Sequence, residues 1–408
     1  MMQLRPILST LSRHKTAAFL IVLEIALTCA IVCNAVFVIA NRIERLQFPS
    51  GMADNELVYL SISSIGRDPE GPANTQIDLA ALRAIPGVRS AALINEIPYG
   101  DESQNSGLDM APGQKTSTVE VSTYRVDVGA LDTLGLRLVA GRDFKADEVM
   151  DGRTFDQSTD PRTPSVIIVR ELAQRLFPGK DAVGQVVYLF NDYPTRVVGV
   201  VDRLIRPQPR NADDTDLHSV LLPVRNTFNA GIYMLRTDPQ RRDAVLLAAQ
   251  KALDRGDGRR VAGKHGTFED LRSDFYRADR SMVWLLAGVC VALLVVTAFG
   301  IVGLASFWVQ QRTKMIGTRR ALGATRGQIL RYFQTENLLL TSAGIALGML
   351  GAFAITPWLM TQYELPRLPA LYLPLGALAL WALGQIAVLA PARRAAALPP
   401  AHAMRGLG

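Results

Sequence analysis

"MIGTRRALGATRGQIL", residues 315–330, carries the cations Arg319, Arg320 and Arg326 and is interrupted by Gly317, Gly323 and Gly327. It lies between two apolar stretches, each long enough to cross a bilayer. Four stretches of the chain reach the roughly 20 apolar residues that cross a hydrocarbon core as helix: 17–40, 282–309, 338–360 and 371–390. The remainder between residues 41 and 280 reads as ordinary globular sequence. The expected architecture is therefore four transmembrane α-helices with a large α+β domain between the first and second.

Arginine and lysine set the expected orientation. The N-terminal segment 1–16 holds Arg5, Arg13 and Lys15, segment 310–335 holds six cations, and the tail 391–408 holds Arg393, Arg394 and Arg405; none of the three contains Asp or Glu. The positive-inside rule places all three in the cytoplasm and the large domain on the opposite side of the membrane. The formal net charge of +7 follows from these segments, because residues 41–280 hold 31 Lys and Arg against 34 Asp and Glu. No basic surface for nucleic acid is implied. The first span is too long for a signal peptide core and reads as an uncleaved anchor. Cys29, Cys33 and Cys290 all fall within spans, so no disulfide is expected in the external domain.

In that domain "NELVYLSISS" alternates as a strand and "DLAALRAIPGVRSAAL" carries a helical period ended by Pro86 and Gly87. A similar pair, "GIYMLRT" and "RRDAVLLAAQKALDRG", comes late, with "SVIIV", "QVVYLF" and "TRVVGVV" as short strands between and "RELAQRLF" as a helix. The simplest organisation is an α+β module split in sequence by a second module at about 129–217. Polar, turn-rich stretches such as "DESQNSGLDMAPGQKTST" read as exposed connections.

Catalytic chemistry finds little support. "GRRVAGKH", 258–265, matches a phosphate-binding loop except that His265 replaces the magnesium-holding Ser or Thr and no apolar strand leads into it. His14, His218, His265 and His402 have no metal-ligand spacing, and no nucleophile elbow occurs. No catalytic, metal or cofactor-binding residue is assigned, and no enzymatic activity is expected. Within the spans, Glu24 is expected as a packing or gating contact or as a protonated or snorkelling side chain, Asn34 as a bond to a neighbouring helix, and Gly344 with Gly348 as a close-packing pair.

Around the opening stretch the sequence predicts a short amphipathic helix, a left-handed stop at Gly323, and a new helix begun by Thr325 and Gln328 at capping-box spacing. Ile329, Phe333 and Leu340 carry that helix toward the third span, and Glu336 anchors its start. Two helices meeting at an elbow result. By physics alone its cations can sit among lipid headgroups.

"RTKMIGTRRALGATRGQILRYFQTENLLLTSAGIALGMLG" resembles the signature of the MacB and FtsX-like ABC transporter permeases. "VDVGALDTLGLRLVAGRDF", "SVIIVRELAQRLFPGKDAVGQVVYL" and "TRVVGVV" resemble the family's periplasmic core domain, and "ARRAAALPPAHAMRG" its usual tail. Met315 stands where an acidic residue is common, and Arg170 where Asn is common. The resemblance implies a type VII ABC system, an external domain with a porter part interrupted by a Sabre part, and mechanotransmission. It makes Arg312, Lys314, Arg319, Arg320, Leu322, Gly323 and Arg326 candidates for contact with an ATPase. ATP and magnesium would then be bound by that separate subunit and not by this chain. A second permease copy or a related permease, a periplasmic adaptor and membrane lipids are the further expected partners. The implied output is export or efflux; the alternative, as in the FtsX branch, is activation of a periplasmic cell-wall hydrolase.

Overall fold

The computed structural model describes residues 15–65, 70–158, 161–190, 193–210, 212–227, 229, 231–254, 260–363 and 372–397. Most of the expected N-terminal segment, the link between the third and fourth spans, and the tail beyond residue 397 lie outside the described residues, with His14, His402 and Arg405 among them. The chain forms two compact units, Met1–Ile43 with Asp279–Gly408, and Glu44–Ala278.

The first unit is built on four helices long and apolar enough to cross a membrane. These are α1 (Lys15–Gln47), α8 (Arg277–Gln311), α10 (Arg326–Tyr363) and α11 (Tyr372–Ala397). At 1.5 Å per residue, the 33 and 35 residues of α1 and α8 outreach a hydrocarbon core of about 30 Å. Lipid tails give apolar side chains no reason to leave them, so close backbone approach holds such helices together. A Cβ at Gly344 would meet Ile25 at 2.7 Å, and one at Gly348 would meet Cys29 at 2.5 Å and the Ala26 carbonyl at 2.6 Å. The small-residue pair is thus the seam between α10 and α1. Between α10 and α11 the seam is partly polar: Trp381 Nε1 donates to Ser342 Oγ at 3.0 Å and Gln385 Nε2 to the Gln334 carbonyl at 3.3 Å.

In the second unit, β1 (Leu57–Ser64), α2 (Gly71–Arg83) and β2 (Val88–Ile94) come first, and β11 (Ile232–Thr237), α6 (Arg242–Leu253) and β12 (Arg260–Thr267) last. Their strands pair antiparallel in the order β12-β1-β11-β2, a split β-α-β arrangement of the ferredoxin-like kind. Val58, Leu60, Leu93 and Tyr233 from one face of the sheet pack with Leu79 and Leu82 of α2 and Val245, Ala249 and Leu253 of α6. The sequence that resembled a phosphate-binding loop lies in β12 from Arg260 onward, paired with β1.

Between these halves sits the inserted module. It contains β3 (Asn105–Asp109), β4 (Val119–Val126), β5 (Leu138–Gly141), β6 (Met150–Asp151), β7 (Ser165–Val169), β8 (Val186–Leu189), β9 (Tyr193–Val201) and β10 (Ser219–Arg225). The pairing path β4-β3-β8-β9-β7-β10 closes on itself through a parallel β10–β4 ladder, so six strands form a ring without free edges. Short helices α3 (Ala130–Leu134), α4 (Gly152–Gln157) and α5 (Arg170–Leu176) lie along the intervening chain, and Tyr124, Val166, Ile168, Val197 and Leu221 of the strands are buried in one apolar core.

The module is larger than the expected 129–217, because β3 and β4 precede that range and β10 runs past it. The polar stretch 101–118 contains β3, where Asn105, Ser106 and Gly107 hide the alternation of a strand. Both crossings are tied to one residue: Asn95 Oδ1 accepts the Arg125 N–H at 2.7 Å, and Asn226 Nδ2 donates to the Arg125 carbonyl at 2.9 Å.

Candidate functional site

The elbow lies wholly within the first unit. Helix α8 ends at Gln311, and Arg312, with φ −101° and ψ 11°, turns the chain into α9 (Thr313–Ala321). A sharper bend follows. Gly323 adopts φ +95°, its N–H donates to the Arg320 carbonyl at 3.1 Å, and the Ala324 N–H donates to the Arg319 carbonyl at 3.0 Å. These two bonds satisfy the last carbonyls of α9 and form a Schellman stop. Two residues on, the Thr325 N–H donates to Gln328 Oε1 at 2.9 Å and the Gln328 N–H to Thr325 Oγ1 at 3.3 Å. That reciprocal pair opens α10 as the sequence reading expected.

The cations of the elbow fall into two groups. Arg312 is buried, and its Nη1 donates to both oxygens of Glu336, at 3.0 and 2.8 Å, while its guanidinium lies 5.3 Å from the centroid of the Trp308 ring. Arg319 lies over Tyr332 at 5.0 Å, and Arg320 donates to the Ala396 carbonyl of α11. These three arginines staple α9 to α10 and α11. Lys314, Leu322 and Arg326 point outward, with Leu322 exposed to 82%. A large apolar side chain that open at the tip of a bend, flanked by cations, has the form of an anchor for another surface. The sequence reading grouped all of these side chains together; the structure separates inner braces from an outer tip.

Glu336 is 1% exposed and faces Arg312 across the elbow. Removing one member of such a buried pair leaves the other uncompensated, at a cost of about 3–5 kcal/mol. Glu24 on α1 sits over the notch left by Gly300 on α8, where a Cβ would come within 2.5 Å of its carboxyl oxygen. One turn further along, Thr28 and Thr297 share a hydrogen bond of 2.8 Å between the same two helices. Asn34 departs from expectation: its Nδ2 donates to the Ala30 carbonyl of its own helix at 2.9 Å, because the i−4 carbonyl is within reach and a cross-helix partner is not required. Among the described residues, no group of three His, Cys, Asp or Glu side chains is placed to hold a metal ion.

Tyr332 and the Ala396 carbonyl were not legible as partners, because each neighbours a cation only after α10 folds back beside α9 and α11 packs on α10, whereas Trp308 lies one helical turn before Arg312. Glu336, 24 residues after Arg312 and the first acidic residue after the six cations of the elbow, was the one signal available.

The description "FtsX-like permease C-terminal" matches residues 287–400, and "MacB-like periplasmic core domain" matches residues 19–253. Among curated proteins, the uncharacterized ABC transporter permease YknZ of Bacillus subtilis is 24% identical, covering 98% of this chain and 98% of its own length. The uncharacterized ABC transporter permease YvrN of the same organism is 23% identical, with 96% of each chain covered. The macrolide export ATP-binding/permease protein MacB of Agrobacterium fabrum is 25% identical over 87% of this chain, which spans 54% of that protein's length.

Proposed function

The chain is a member of the MacB-type, FtsX-like ABC transporter permeases, and from that membership we propose that it is the subunit through which a separately encoded ATPase moves an extracytoplasmic domain. ATP and magnesium are bound by that partner. Closure of the ATPase displaces the elbow, the membrane helices carry the displacement, and the external domain rearranges to export a substrate. Relatives matched over nearly their whole length and named as permeases support an ATPase on another polypeptide. The name of the macrolide export protein MacB supports a macrolide-like molecule as cargo.

The observation that carries this reading is the separation of braces from tip. Arg312, Arg319 and Arg320 make the elbow stiff, so a push on it is transmitted and not absorbed. Lys314, Leu322 and Arg326 remain for contact. Arg326 is the first residue of α10, whose first turn has no acidic side chain, although a helix N-terminus favours negative charge. A groove with an apolar floor and an acidic rim on the ATPase complements both features. The exposed apolar residues of α8, among them Trp284, Leu285, Val296 and Phe299, support contact with lipid and with a second permease.

Affinity purification of the full chain tests the reading. Leu322→Asp combined with Lys314→Glu should abolish recovery of an ATPase while membrane insertion and melting behaviour stay as in wild type. Undiminished recovery of the ATPase by the double variant would overturn the assignment of the tip.

A further inference from the structure

The extracytoplasmic unit contains a second junction that receives both long helices. α7 (Phe268–Phe275) is opened by Thr267, whose Oγ1 accepts the Asp270 N–H at 3.1 Å, and it runs through Tyr276 into α8. Its Arg272 reaches three other parts of the chain. Nη2 donates to the Leu46 carbonyl at 3.0 Å and the Phe48 carbonyl at 2.9 Å, at the end of α1 where carbonyls lack helical partners. Nη1 pairs at 2.7 Å with Asp54, which begins the single turn Asp54–Glu56 leading to β1. The guanidinium lies 5.8 Å from the centroid of Tyr99.

Tyr99 belongs to the crossing from β2 into the inserted ring. It is 3% exposed and holds φ +67°, a left-handed conformation that is strained for a residue with a Cβ. Its ring is set against Phe268, Phe275 and Tyr276 at centroid distances of 5.7, 5.4 and 5.5 Å, and its N–H donates to the Pro207 carbonyl at 2.7 Å. A backbone kept off its preferred basin by packing on α7 moves when α7 moves.

We infer that Arg272 is the positioning residue that joins the end of the first membrane helix, the lead-in to the second and the crossing into the inserted ring, so that displacement of the two helices is handed to the ring. The inference rests on the lever reading above and adds the place where the lever ends. A lysine at this position keeps one charge for Asp54 but has no planar fork to serve Asp54 and two carbonyls together.

The test uses the full chain co-purified with its ATPase in a bilayer, with spin labels at Lys180→Cys in the ring and Lys251→Cys on α6. The native cysteines are all buried. Distances are compared without nucleotide and with ATP and vanadate. In the parent chain the distance should change with nucleotide; in Arg272→Lys the change should be lost while ATPase recovery and hydrolysis persist. Asp54→Asn, which leaves the carbonyl bonds in place, should give a partial loss and serves if Arg272→Lys does not fold. An unaltered distance change in both variants would overturn the inference alone. No distance change in the parent chain would overturn the lever reading and the inference with it.

Discussion

Glu96 sits in the crossing between the two modules, 1% exposed, with Oε2 accepting the Gln104 N–H at 2.6 Å and Oε1 buried without a hydrogen-bond partner. Burial pushes its carboxyl from the usual 4.5 up to about 8; the Gln104 bond and the charges of Arg125 and Arg206 oppose the rise, and Glu102 adds to it. In the unfolded chain the group ionises near 4.5, whereas in the folded domain it keeps its proton until about 8. The native state therefore binds more protons across that window, and stability falls as pH rises, by up to about 1.4 kcal/mol per pH unit. Over the whole window this reaches on the order of 5 kcal/mol, as an upper bound. Below 4.5 the contribution is fully present, and above about 8 the curve flattens. Glu96→Gln removes the titration and keeps the shape. Urea denaturation of residues 44–278, followed by circular dichroism at pH 5 to 9, should show the stability of wild type falling relative to the glutamine variant as pH increases. Parallel curves for the two proteins would refute the reasoning.

The membrane unit yields two further expectations, both read by thermal melting in detergent. Glu336→Gln should destabilise by about 3–5 kcal/mol because Arg312 is left charged and buried, and Arg312→Met with Glu336→Leu should recover most of the loss. Gly348→Ala should cost about 1–3 kcal/mol, since its methyl would overlap the Cβ of Cys29 and the Ala26 carbonyl. Gly351→Ala, where the nearest atom is Ala30 Cβ at 3.7 Å, should be tolerated and serves as the comparison.

How far the fold was legible follows from which signals are local. The four spans are written in runs of apolar residues, and the bend at Gly323 in a left-handed stop and a capping pair that involve only residues 319–328. The strand "SVIIV" and the valines of "TRVVGVV" are buried on both sides and show as β-branched runs. β3 and β12 were hidden because glycines and polar residues mask a period of two. Among site residues, exposure at Lys314, Leu322 and Arg326 and braces at Arg312, Arg319 and Arg320 cannot be told apart in one dimension. Their inner partners lie on helices that arrive later in the chain.

Because Asn95 and Asn226 hold the outgoing and returning strands to one residue, Arg125, the ring leaves and re-enters the split sheet at a single point. Exchanging it for another fold needs two ends that meet side by side and a surface that covers Leu57, Ala92 and Ile94, which share its apolar core. An insertion at this point alters the external domain without changing the order of the strands that carry it.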